Sequence, residues 1–123
     1  MRILFLVFCF IMANPISYAQ DNPLIVYDLL DAIAMSEESN KPILAIFTAD
    51  WCKYCHIMKN DILTNNVGKG MIVAYIDIDK HPDVAKEYMV RTIPDYFIMK
   101  DRIEIKRQVG YNNYQKFARW FNE

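Results

Sequence analysis

The chain is poor in the residues that define several classes of small protein. Its 123 residues include only three cysteines and two histidines. Three cysteines cannot form the dense disulfide framework of a small secreted scaffold. His56 adjoins a cysteine and His81 stands alone, so the second ligand pair of a structural zinc site is missing. A formal net charge of −1 gives no basic face for nucleic acid. We therefore expect neither a metal nor a nucleic-acid partner.

Long apolar runs are also scarce, and the one clear run lies at the N-terminus. It covers the ten residues from Ile3 to Met12, behind the single basic residue Arg2. A membrane-spanning helix needs about 20 apolar residues. Ser17 and Ala19 provide small residues at the −3 and −1 positions of a cleavage site. The pattern predicts a signal peptide over residues 1–19, a mature domain over residues 20–123, and a periplasmic or secreted location. A membrane anchor is the alternative.

The mature region alternates short apolar runs with segments of helical pattern. Four segments are predicted to be strands: residues 41–48, 70–79, 95–101 and 102–110. The first two are apolar enough to be buried on both faces of a sheet. Leu24–Tyr27 is either a fifth strand or the start of the first helix. This alternation is typical of an α/β fold, with a central mixed sheet of four or five strands and helices on both faces. The last two strands are expected to form an antiparallel hairpin at the edge.

Three features place helices between and after these strands. One helix begins at the cysteines of "WCKYCHIMKNDILTNN". A second is short and has Pro82 at a tolerated early position. The last begins behind Asn112 or Asn113, either of which is a plausible N-cap. The chain therefore places its only close cysteine pair at a strand-to-helix junction.

That junction gives the cysteines a chemical function. The free N–H groups and the positive dipole end of a helix stabilise a thiolate at Cys52. Lys53 and His56 add positive charge nearby, so we expect a lowered thiol pKa. Cys55 lies one turn further on, within disulfide reach, and can resolve a mixed disulfide formed at Cys52. The pattern predicts a redox-active dithiol.

Two other functions are compatible with parts of this pattern. C-x-x-C-H is also the attachment motif of a c-type haem, with His56 as one axial ligand and a methionine or His81 as the other. A haem domain of this size requires a largely helical wrapping, whereas this chain has strand-like segments on both sides of its cysteines. The other alternative is a binding module of the same fold without redox catalysis.

Several motifs together resemble the thioredoxin superfamily over nearly the whole of residues 20–123. "PILAIFTADWCKYC" is similar to the family's strand and W-C-x-x-C helix start. "VRTIPD" resembles its proline segment, and "QVGYNNYQKF" its final strand, glycine and helix. "ADWC", with "KP" before the strand, looks like exported, reductase-type members such as the C-terminal domain of transmembrane thiol reductases.

The resemblance implies a role for each residue of the site. Cys52 is the nucleophile and Cys55 the resolving thiol, while Trp51 forms part of the docking surface. Pro94 is the family's cis-proline, which would keep metals from the cysteines and expose the backbone of Ile93 for pairing with a substrate peptide. The resemblance implies no cofactor.

The chain departs from the family at three positions. Ile46 stands where the family often buries an aspartate, and Tyr75 stands at the position of its lysine partner. We therefore expect Cys55 to resolve the mixed disulfide more slowly than in members that have the buried acid. Asp95 replaces a threonine after the proline. Its carboxylate is expected either to oppose the Cys52 thiolate or to be a solvated loop charge, as is that of Asp50.

These features together predict an exported, monomeric thiol–disulfide oxidoreductase. The lysine and tyrosine between the cysteines match neither the commonest reducing nor the commonest oxidising pair of the family. The likeness of "ADWC" to reductase-type domains favours a reductant. Its expected partners are cysteine-containing exported proteins and a membrane thiol electron donor.

Overall fold

The computed structural model describes residues 21–123, so the predicted signal peptide lies outside the described residues. Nine elements follow one another along the chain: β1 Leu24–Val26, α1 Leu29–Ser39, β2 Ile43–Thr48, α2 Lys53–Thr64, β3 Ile72–Asp77, α3 Pro82–Glu87, β4 Asp95–Lys100, β5 Ile103–Val109 and α4 Tyr114–Asn122. The predicted α/β fold is confirmed. The segment that the pattern left undecided begins with the short strand β1, which makes five strands.

All five strands form one mixed sheet in the order β1-β3-β2-β4-β5. The strands β1, β3 and β2 run parallel, and β4 and β5 are antiparallel additions, as expected for a hairpin at the edge. The strand β2 lies at the centre and leads directly into the cysteines. In the register, Ile46 of β2 lies between Tyr75 of β3 and Tyr96 of β4.

The central strands are apolar throughout because helices cover both faces of the sheet. Alternate residues of β2 point in opposite directions. Ile43, Ala45 and Phe47 pack in a cluster that includes residues of α1 and α3. Leu44 and Ile46 pack in a second cluster that includes residues of α2 and α4. These two layers hold β2 and α2 in place, and thereby the turn between them.

Side-chain caps fix where two of the helices begin. The Asp28 carboxylate accepts a hydrogen bond from the Asp31 amide at 3.1 Å at the start of α1. The Asn113 side chain accepts one from the Lys116 amide at 2.9 Å at the start of α4. Of the two asparagines considered from the sequence, Asn113 is therefore the N-cap.

The edge strand β5 exposes apolar residues and partly buries two of its charged ones. Ile103 and Ile105 are exposed, at 66% and 60%. Lys106 and Arg107 are half-buried. The Lys106 ammonium donates to the carbonyls of Trp120 and Phe121 at 2.5 and 3.0 Å. The free carbonyls at the C-terminal end of α4 attract this cation, which explains its position.

Within residues 21–123, the helices are too short or too polar to cross a lipid bilayer.

Candidate active site

The two cysteines lie in a segment that we call the cysteine turn, residues 48–56, between β2 and the first turn of α2. Cys52 is the N-cap of α2, and its Sγ accepts a hydrogen bond from the Cys55 amide at 3.2 Å. A disulfide joins Cys52 to Cys55, with Cα atoms 5.3 Å apart. The pair therefore occupies the helix N-terminus that the sequence predicted.

The disulfide is nearly covered, and its two ends differ in exposure. Cys52 is 7% exposed and Cys55 is 3% exposed. Both pack with Ala49, and the half-buried side chains of Ile78 and Ile93 lie against this cluster. Cys52 is therefore the end that an incoming thiolate or disulfide reaches more easily.

An exposed aromatic surface flanks the disulfide. Trp51 is 69% exposed and Tyr54 is 55% exposed. The Trp51 indole N–H donates to the Asp79 carboxylate at 2.9 Å, which fixes the ring beside the cysteines. The sequence did not identify Asp79 as part of the site. The only available signal was its position just after β3, on the same edge of the sheet as the end of β2.

On another side of the cysteines lies the proline loop, residues 88–95, which connects α3 to β4. The peptide bond between Ile93 and Pro94 is cis. The Pro94 carbonyl accepts a hydrogen bond from the Gly110 amide at 2.7 Å. The structure thus brings Trp51 and Ile93, which are 42 positions apart in the sequence, to the same cysteine pair.

Neither expectation for Asp95 fits the structure. Asp95 is 2% exposed, so it is not a solvated loop charge. Both of its carboxylate oxygens accept hydrogen bonds from the Arg107 guanidinium, at 2.8 and 2.7 Å. The same hydrogen bonding raises the pKa of Arg107. The Asp95 charge is therefore neutralised by Arg107 and is not free to oppose a Cys52 thiolate.

The two predicted cationic residues occupy different environments. Lys53 is exposed at the first position of α2. His56 is exposed too, and its Nε2 donates to the Asp50 carbonyl at 2.7 Å, which ties the helix to the cysteine turn. The effect of Lys53 and His56 on the Cys52 thiol stays a prediction.

A pocket of about 260 Å³ opens beside the resolving cysteine. Its polar lining includes Asp77, Tyr75 and Lys59, and Cys55 forms part of its wall. The Lys59 ammonium lies 4.8 Å from the ring centroid of Tyr75. Cys55 thus borders a polar pocket. Ile46, the β2 residue paired with Tyr75 of this pocket, is apolar.

Tyr75 is the unusual group of this pocket. Its side chain is buried, and within residues 21–123 its hydroxyl has no hydrogen-bond partner. Burial, with a smaller contribution from the nearby Tyr27, raises the pKa of Tyr75 to about 12. The hydroxyl is therefore neutral at physiological pH. Ile46 and Tyr75 are direct neighbours in the register of β2 and β3, where the resemblance places an acid and a lysine.

The protein-family model described as thioredoxin matches residues 31–123. The chain belongs to the thioredoxin family. It is 36% identical over 75 residues to the thioredoxin of Mycobacterium tuberculosis, a match that covers 58% of this chain and 64% of that protein. It is 35% identical over 77 residues to thioredoxin H-type from Fagopyrum esculentum, covering 61% and 66%. The chain thus spans slightly less than two thirds of the length of these relatives.

A solved structure extends the likeness to most of the chain. A single-site mutant of a thioredoxin from Halobacterium salinarum superposes with a TM-score of 0.65 at 27% identity. The match covers 84% of this chain and 90% of the other. The fold expected from the thioredoxin resemblance is thereby confirmed.

Proposed function

We propose that this protein is an exported thiol–disulfide oxidoreductase that acts mainly as a reductant of protein disulfides. The observation that carries the proposal is the Cys52–Cys55 disulfide at the N-terminus of α2. A helix N-terminus favours the thiolate over the thiol, and a C-x-x-C pair can return to the disulfide without a second protein.

The reaction proceeds in two exchange steps. The Cys52 thiolate attacks one sulfur of a substrate disulfide, which forms a mixed disulfide and releases the other substrate sulfur as a thiolate. Cys55 then loses its proton and attacks the Cys52 sulfur, which re-forms the Cys52–Cys55 disulfide and releases the second substrate thiolate. Two electrons pass from the enzyme to the substrate, and an external thiol donor must restore the dithiol.

The second step depends on where the Cys55 proton goes. The position of the family's buried acid is occupied by Ile46, and the neutral Tyr75 hydroxyl is a poor base at physiological pH. The pocket beside Cys55 supplies a polar route to solvent. We therefore expect the resolving step to be slower than in a member that has the buried acid, and rapid-mixing kinetics of the mixed disulfide would measure it.

The cellular setting follows from the leader and the cysteine content. The predicted signal peptide over residues 1–19 sends the domain to the periplasm or outside the cell. There it acts as a monomer on cysteine-containing exported proteins. A reductant in an oxidising compartment needs a continuous supply of electrons, so we expect a membrane thiol protein to reduce the Cys52–Cys55 disulfide.

The reduction potential of the cysteine pair tests the proposed direction. The mature protein is equilibrated in dithiothreitol and glutathione buffers, and its free thiols are counted by alkylation and mass. A potential near that of thioredoxin, about −270 mV, supports a reductant. A potential near about −120 mV would make the protein a disulfide donor instead.

Two cysteine variants test the mechanism itself. Cys55→Ser should accumulate a mixed disulfide between Cys52 and a substrate protein, because the resolving step is blocked. Cys52→Ser should form no such adduct and should lose turnover. If Cys52→Ser leaves the cellular phenotype intact, the protein is a binding module. A covalent mass increase with cysteines that cannot be alkylated would identify a c-type haem protein.

A further inference from the structure

Arg107 joins the two ends of the proline loop with a single guanidinium group. Its Nε donates to one Asp95 carboxylate oxygen at 2.8 Å, and its Nη2 donates to the other at 2.7 Å. The same Nη2 also donates to the Tyr88 carbonyl at 2.8 Å. Tyr88 is the C-cap of α3 and Asp95 is the first residue of β4. One side chain from β5 therefore fixes where the loop begins and where it ends.

The surroundings make this connection rigid. The Asp95 side chain is 3% exposed and that of Arg107 is 22% exposed. The guanidinium also lies 5.6 Å from the ring centroid of Phe97, and the Glu104 carboxylate is 3.6 Å from its Nη1. Only arginine provides a planar fork that binds a carboxylate with two parallel hydrogen bonds and still reaches a third acceptor.

Between its two ends the loop has few bonds of its own. Among residues 21–123, no backbone hydrogen bond involves Arg91, Thr92 or Ile93. The Ile93 side chain nevertheless packs against the cluster that contains Cys52 and Cys55. The backbone of Ile93 is therefore free to pair with an incoming chain beside the disulfide, while its position depends on the fixed ends of the loop.

We propose that Arg107 is a positioning residue for protein substrates. By holding Tyr88 and Asp95 together, it keeps the Ile93 backbone in place to pair with the extended chain on one side of a substrate disulfide. The inference rests on the proposed function, since it concerns how that exchange reaction selects its substrate. Within the described residues, the polar contacts of Arg107 are with Asp95, Tyr88 and Glu104 and not with the cysteines, so the chemistry of Cys52 itself should not depend on it.

A comparison of two substrates separates positioning from chemistry. Insulin presents its disulfides on polypeptide chains, whereas hydroxyethyl disulfide has no backbone to pair. Arg107→Lys keeps the charge but loses the fork. We expect it to raise the KM for insulin about tenfold, because misplaced binding groups weaken the productive complex. Its rate with hydroxyethyl disulfide should stay within about twofold of the original, because the Cys52 thiolate is unchanged.

Two further variants complete the experiment. Arg102→Lys is the matched control, since Arg102 pairs with Glu37 at an exposed site and should leave both substrates unaffected. Asp95→Asn removes the charge at one end of the loop but keeps the Tyr88 link, so it should raise the KM for insulin about threefold. If Arg107→Lys fails to fold, the KM of Asp95→Asn for insulin tests the positioning role instead. Hydrogen exchange should quicken at the amides of Met89 and Val90, which are hydrogen-bonded in the folded loop, in both loop variants and not in Arg102→Lys.

The outcomes are distinguishable. A folded Arg107→Lys protein with an unchanged KM for insulin overturns the positioning role. Equal losses with insulin and hydroxyethyl disulfide overturn it too, since they indicate a general structural defect. If the unaltered protein reduces neither substrate, the proposed function itself is wrong and this inference fails with it.

Discussion

The two segments that meet at the disulfide are held in opposite ways. Local hydrogen bonds hold most of the cysteine turn, apart from the Trp51 indole: the Cys52 amide donates to the Ala49 carbonyl at 3.1 Å, and His56 Nε2 donates to the Asp50 carbonyl six residues away. The proline loop depends on distant partners. Its strongest links come from Arg107, 12 and 19 residues from the groups that it binds.

The difference shows which half of the site tolerates change. A turn that closes through its own backbone can re-form after the loss of one side chain, because most of its bonds remain. A loop held by one arginine loses the links at both ends when that arginine is removed, and the buried Asp95 charge is left behind. We therefore expect substitutions at the proline loop to act mainly on stability and binding, and those at the cysteine turn mainly on the thiol.

The largest expected effect comes from breaking the loop's ion pair outright. Arg107→Met should lower the free energy of unfolding by about 3–5 kcal/mol, because it strands the buried Asp95 carboxylate. Urea unfolding of the oxidised protein measures it. Arg102→Met is the control. It removes an equally close but exposed ion pair and should cause no measurable change. Equal effects of the two substitutions would contradict the view that Arg107 holds the loop.

The contrast between local and distant bonds also explains which features could be predicted from the sequence. The cysteine turn was predictable, because an apolar strand, two cysteines and a helix pattern follow one another within a few residues. The buried central strands were predictable too, since runs such as 43–48 are apolar enough to be buried on both faces. Each of these features depends on neighbours in the sequence, where periodicity and capping carry the information.

The links between distant residues were not predictable from pattern. The pairing of Arg107 with Asp95 depends on the register of β4 and β5, which the residues around Arg107 do not specify. Asp95 was expected to be either solvated or opposed to the thiolate, and neither holds. Nothing in the sequence indicated that Asp79 would bind the Trp51 indole. A single sequence does not reveal which charged residues lie next to each other in the fold.

A smaller effect concerns Tyr75, beneath the cysteine turn. Its pKa is about 12 in the folded protein against about 10 in an unfolded chain. Above pH 10 the unfolded state therefore binds fewer protons than the native state, so stability falls as the pH rises from about 10 to 12. Tyr75 contributes about 2 kcal/mol of this loss, after allowance for solvent screening.

The variant Tyr75→Phe isolates that contribution. It should not lower stability at pH 7, because the hydroxyl that it removes is buried and makes no hydrogen bond within the described residues. Between pH 10 and 12 it should lose less stability than the original protein. Urea titrations across this range compare the two proteins. Parallel alkaline declines would show that Tyr75 ionises as freely in the native state as in the unfolded one.

The smallest effect should be at the surface of the cysteine turn. Lys53→Gln removes a positive charge from the first position of α2, next to the sulfur that attacks. An exposed pair of opposite charges is worth about 0–1 kcal/mol. Iodoacetamide should therefore alkylate reduced Cys52 about two- to threefold more slowly at neutral pH. Lys86→Gln, on α3, is the control for the loss of one positive charge. An equal rate in Lys53→Gln and the original protein would mean that the helix N-terminus alone activates the thiol, whereas equal slowing in both variants would point to net charge.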